Sequence, residues 1–131
     1  MIYRPNIILC CSSSALILNS LYGYKIKKIN LCVIDSLSAI ASLIYWLDTQ
    51  NMNKRNIDIF LANINFLNFF IYGINNQKKE IMPFLWFNLF NIFYNFSLSC
   101  LFYKYKCKKW YYFHLLFHAS GIFQKLLVYH F

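Results

Sequence analysis

Five apolar runs, each roughly 18–23 residues long, divide this chain and leave only short polar segments between them. They cover residues 7–24, 29–47, 57–74, 81–103 and 110–131. About 20 apolar residues, rising 1.5 Å each, cross the hydrocarbon core of a bilayer. The runs are too long for strands and show no sustained alternation of apolar and polar residues, so spanning β-strands are a poor alternative. The expected fold is all-α: a single domain over residues 1–131, an integral membrane bundle of about five transmembrane helices joined by short loops.

Composition agrees. The chain has 131 residues, of which 60% are hydrophobic and 13% charged. A soluble domain carries roughly 45–50% apolar and about 25% charged residues. So short a chain has no soluble core large enough to absorb the excess, whereas a lipid bilayer does. The formal net charge of +9 comes from basic residues clustered between the runs: Lys25, Lys27 and Lys28, then Lys54 and Arg55, Lys78 and Lys79, and finally Lys104, Lys106, Lys108 and Lys109. That is the pattern of membrane-flanking loops rather than of a nucleic-acid groove. The bilayer is therefore the expected partner, with another membrane protein or a second copy of the chain as further partners, and no nucleic acid. The five cysteines show no CxxC or zinc-finger spacing. They read as free thiols, with palmitoylation of Cys107 in its basic segment as an alternative.

Five spans place the two termini on opposite sides. The N-terminal side then carries Arg4, Lys54, Arg55, Lys104, Lys106, Lys108 and Lys109, and the other side Lys25, Lys27, Lys28, Lys78 and Lys79. Basic loops favour the cytoplasm, which puts the N terminus inside. The first run reads as a retained helix. Arg4 and the small residues Ser12, Ser13, Ser14 and Ala15 keep a cleaved signal peptide open as the other reading. Pro83 falls in the first turn of the fourth run, where proline is tolerated.

Each run carries a polar stripe at steps of three and four: Ser12, Ala15, Asn19 and Tyr22; Asp35, Ser38, Ser42, Tyr45 and Thr49; Asp58, Ala62, Asn65, Asn68 and Tyr72; Asn88, Asn91, Asn95 and Ser99; His114, His118, Gly121 and Lys125. Such stripes turn toward one another in a bundle and act chiefly as interhelical glue. Ionisable groups in a span are costly and are paired or functional. Antiparallel threading puts Asp48, Asp58, His114 and His118 at one end, near Asn95 and Ser99. It puts Asp35 and Lys125 toward the other, where they can pair. Gly73 and Gly121 are candidates for close helix approach.

His114 and His118, four apart in Phe113-His114-Leu115-Leu116-Phe117-His118, present both imidazoles on one face. With Asp58 they make two histidines and a carboxylate, the donor set of a catalytic zinc or iron centre. The same histidines serve equally as amphipathic packing residues. The spacing resembles the CREST superfamily of multi-pass membrane proteins, which includes alkaline ceramidases and the progestin and adipoQ receptors. The resemblance rests on Ser42-Leu43-Ile44-Tyr45-Trp46, on Asp58 in Arg55-Asn56-Ile57-Asp58, and on His114 and His118. It implies a zinc-dependent hydrolase of lipid amides, or an inactive relative, with Asp58, His114 and His118 as metal ligands and Ser42 as a polar neighbour, to which the threading adds Asp48, Asn95 and Ser99 as further polar neighbours. Two departures stand against it: Trp46 occupies the place of the family's earlier histidine, and five helices replace seven.

No nucleotide-binding loop, Ser-His-Asp set or haem motif is present. The leading functional expectation is a small multi-pass membrane protein, structural or accessory, without catalysis. A CREST-type hydrolase and an oligomeric pore or transporter are the alternatives.

Overall fold

The computed structural model describes residues 4–76 and 79–130, with the backbone only for residues 4 and 5. The contributions expected of Gln77, Lys78, Phe131 and the Arg4 side chain lie outside the described residues. The chain forms five helices, α1 (Arg4–Lys25), α2 (Ile29–Leu47), α3 (Met52–Asn76), α4 (Met82–Lys104) and α5 (Trp110–His130), and no strand among the described residues. It is an all-α bundle.

Local chemistry sets the helix ends. Pro83 sits in the first turn of α4 as expected, where its missing N–H leaves no ladder bond unmade. Lys27 and Lys106, with φ of 64° and 54°, follow α1 and α4 in the left-handed region. The bonds Lys28 N–H to Gly23 carbonyl (3.1 Å) and Cys107 N–H to Phe102 carbonyl (2.9 Å) close the ends. These are glycine-type helix stops made with lysine, so no glycine announces them in the sequence.

Side-chain bonds between helices fix the threading. Ser13 meets Ser42 while Ser20 meets Ser36, so α1 and α2 are antiparallel. Asn88 meets Gln124 while Ser99 meets His114, so α4 and α5 are antiparallel. Ser12 meets His118 and Tyr22 meets His130, so α1 and α5 run the same way. Around the bundle the order is α3, α2, α1, α5, α4, and aromatic contacts link α3 to α4 (Phe66 to Phe93, Phe70 to Trp86).

The bundle is inverted relative to a water-soluble protein. Its buried residues are as often polar as apolar, with Ser13, Asp35, Asn65 and Ser99 among the most buried. Its outer surface is Phe, Ile, Leu and Tyr, including Phe87 at 75% and Phe90 at 71% exposure. So continuous an apolar exterior suits hydrocarbon and not water. Four helices are long and apolar enough to cross a membrane: α1 from Asn6, α2, α3 and α4. The fifth, α5, is of similar length but carries His114, His118, Gln124 and Lys125 along its span and is not among them. The bundle shields that polarity: His118, Ser120 and Gln124 are buried, and Lys125 is ion-paired. A helix with neighbours on several sides can carry polar groups that a lipid-facing helix cannot.

Close approach occurs at Gly23, where an added Cβ would lie 2.4 Å from the Tyr129 ring. Gly121 instead meets open space, so the close approach expected there is not found. Gly73 is buried.

Candidate functional site

The polar interior divides into two clusters at different heights. The first gathers around the histidines. His114 and His118 lie one turn apart on α5 with ring centroids 4.8 Å apart. Each is tied to another helix by a serine: Ser99 of α4 is 3.2 Å from His114 Nδ1, and Ser12 of α1 is 2.7 Å from His118 Nδ1. Trp46 of α2 stacks on Trp110 and meets His114 edge-on at 5.1 Å. His118 lies eight residues into α5, about 12 Å along its axis. It is therefore a buried residue near mid-helix and not one at the rim.

Asp58 does not join them. Its carboxylate interacts with Ser42 of α2, and Ser42 in turn bonds Ser13 of α1 at 3.1 Å. Among the described residues no three His, Cys, Asp or Glu side chains lie close enough to hold a metal ion. The ligand set Asp58, His114 and His118 is thus not assembled, and the residues do not fit a three-ligand zinc centre. The physical reason is the order of helices: Asp58 shares the height of the histidines, but α3 packs mainly on α2 while the histidines face α1 and α4. Trp46, standing where the resemblance would place another histidine, fills space beside His114 with an indole that cannot ligate metal. The other expected polar neighbours are engaged locally. Asp48 forms an ion pair with Lys54 at 2.8 Å. Asn95 donates to the Asn91 carbonyl and side chain of its own helix, both at 2.9 Å.

The second cluster centres on Asp35, which is fully buried. Its carboxylate is ion-paired with Lys125 of α5. It also accepts from Asn65 Nδ2 of α3 at 3.0 Å and from the Tyr129 hydroxyl of α5 at 3.3 Å. The pairing of Asp35 with Lys125 agrees with the threading read from the sequence. The roles of Asn65 and Tyr129 do not follow from spacing, because they depend on how α3 and α5 are rotated toward α2. Nearby, Lys28, between α1 and α2, donates to the Val128 and Tyr129 carbonyls at 2.8 Å each and so closes the C-terminal end of α5. Partial burial pushes its ammonium pKa down.

Between the clusters, Asn88 of α4 donates to the Ser120 carbonyl and to Gln124 Oε1, and Asn91 donates to the Ser120 hydroxyl. A few buried atoms have no partner: both amide atoms of Asn19, Trp46 Nε1, Asn65 Oδ1 and Asn68 Nδ2. Nothing in the structure explains Asn19. Compared with known proteins, the chain matches no protein-family model, no curated protein and no solved structure.

Proposed function

We propose that this chain is a small multi-pass membrane protein that acts through helix–helix contact within the bilayer, as a structural or accessory component, and not through chemistry of its own. In this reading all five helices cross the membrane with the N terminus on the cytoplasmic side, the side given seven basic residues against five by the loops. The observation that carries it is how the interior polar groups are used. Asp35 holds three partners, His114 and His118 each hold a serine, and Asn88 holds Ser120 and Gln124. Nearly every such bond joins one helix to another. This is the use of polar residues expected of an assembly element, whereas a catalytic site leaves reactive atoms facing a substrate.

The adjacent imidazoles of His114 and His118 support a second reading, a metal-dependent hydrolase related to the CREST proteins. One experiment separates the two. The detergent-purified protein and its His114→Ala/His118→Ala variant are assayed for bound metal and for turnover of a ceramide-like amide, and both are tested for function in cells that depend on the chain. The assembly reading expects no turnover by either protein, with the variant functional wherever it reaches the membrane folded. Turnover by the wild-type protein that the variant loses would overturn it in favour of the hydrolase.

A further inference from the structure

The turn between α1 and α2 holds two lysines in contrasting settings. Lys28 is half-buried. Its ammonium donates to the Val128 and Tyr129 carbonyls at 2.8 Å each and lies over the Tyr72 ring, 5.4 Å from the centroid. An ammonium has three N–H donors, and the third has no hydrogen-bond partner among the described residues. Lys27 is exposed, and its ammonium has no hydrogen-bond or ion-pair partner among the described residues. Its backbone, at φ 64°, is in the left-handed region, where a helix stop usually has glycine. A lysine there is carried at a cost in backbone free energy that glycine would avoid.

Both lysines line a cleft of about 390 Å³, whose other walls are Ile29, Asn30 and Leu31 of α2 and Tyr72 of α3. No carboxylate lines it. Asp35 is buried on Lys125, Asp48 and Asp58 belong to the opposite end of the bundle, and Glu80 is exposed in the α3–α4 turn. The first turn of α2 has no acidic residue and its N-cap makes no side-chain bond, so the positive pole of that helix adds to the two lysines. Two ammonium groups, a phenol and an amide around one open space, with no counter-charge, suit a phosphate group.

The surroundings say which phosphate. The cleft opens where the spans α2 and α3 end, at the level of phospholipid headgroups. Ile29 in its wall heads an exposed apolar row, Ile29, Val33, Leu37 and Ile40, that continues down the outer face of α2. A free anion would leave that row unused, whereas an acyl chain lies along it. We propose that the cleft is a headgroup site for an anionic glycerophospholipid, with its phosphate between Lys27 and Lys28 and an acyl chain against α2. Basic pockets between membrane-spanning helices are suited to such headgroups. The proposal rests on the transmembrane placement in the reading above and gives that reading a specific lipid partner.

The test is native mass spectrometry of the full chain, delipidated in detergent and titrated with phosphatidylglycerol, phosphatidylcholine or inorganic phosphate. One phosphatidylglycerol per chain is expected, bound more tightly than phosphatidylcholine and not displaced by inorganic phosphate. Lys27→Gly should weaken it about fivefold, the share of one lysine at an anionic lipid. Glycine suits that backbone, so this variant keeps its fold, which thermal unfolding verifies. Lys27→Arg should retain binding. The matched control is Lys106→Gly, which removes the other left-handed lysine from the more basic α4–α5 turn and should leave binding unchanged. Equal affinity for the two lipids overturns the proposal. So does an equal loss in both glycine variants, which marks general attraction to a basic surface. Displacement by inorganic phosphate overturns it in favour of a free-anion site. These outcomes leave the assembly reading standing, since that reading fails on amide turnover. Release of the chain from membranes by alkaline carbonate would instead remove the transmembrane placement itself.

Discussion

At one end of the bundle Asp35 gathers Lys125, Asn65 and Tyr129 around a single carboxylate, whereas in the histidine cluster His114 and His118 each share one hydrogen bond with one serine. Both clusters bind helices together in a region from which water is largely excluded. They differ in what is left behind when a partner is lost. Removing a partner from the charged cluster strands a carboxylate in a low-dielectric interior, and that penalty far exceeds the worth of the bond itself. Removing a serine from the histidine cluster leaves a neutral ring nitrogen and forfeits one ordinary interhelical bond.

This contrast can be tested in order of effect, each variant being compared with the wild-type protein by reversible unfolding in mixed micelles. Lys125→Met should cost most, about 3–5 kcal/mol. Adding Asp35→Leu to it should recover much of that loss, because the stranded charge goes too; a double variant as unstable as the single would refute the stranded-charge account. Gly23→Ala comes next, at about 1–3 kcal/mol, since its Cβ would displace the Tyr129 ring that reaches Asp35. If this variant unfolds like the wild type, Tyr129 has room to move and contributes little to the charged cluster. Ser12→Ala and Ser99→Ala should each cost only about 0.6 kcal/mol. A loss several times larger at either serine would place the histidine cluster on the same footing as Asp35. Smallest is Asp48→Asn at the helix end, whose ion pair with Lys54 has both side chains about a third or more exposed. It should shift stability by less than about 0.5 kcal/mol and lose even that in high salt.

Element count, the approximate limits of four helices and the height of each polar group were legible in the sequence because they depend on local pattern, whereas α3 starts at Met52, five residues before the apolar run read from 57. Apolar runs broken by lysines mark five helices, and alternating direction places Asp35 level with Lys125 and Asp58 level with His114. The candidate metal site was legible only as far as height. His114 and His118 adjoin because they are four apart on one helix, but Asp58 had to come from another helix and did not. Its partner is Ser42, which the sequence reading had placed beside the metal rather than in its stead. The tie from Ser12 to His118 was equally hidden, since it requires α1 to lie against α5, at the far end of the chain.

The sequence by itself thus determined that the chain is an inverted bundle, apolar outside and amide- and hydroxyl-rich within, and which residues share a level across it. Only the tertiary structure decided the neighbours around the axis: α5 placed where its polar groups are shielded, α3 left at the edge with Asn63 facing outward, and Trp46 beside His114. The physical reason is that loops and span lengths fix a residue's position along the axis. Its direction around that axis is set by close packing between side chains remote in sequence, which no local pattern encodes.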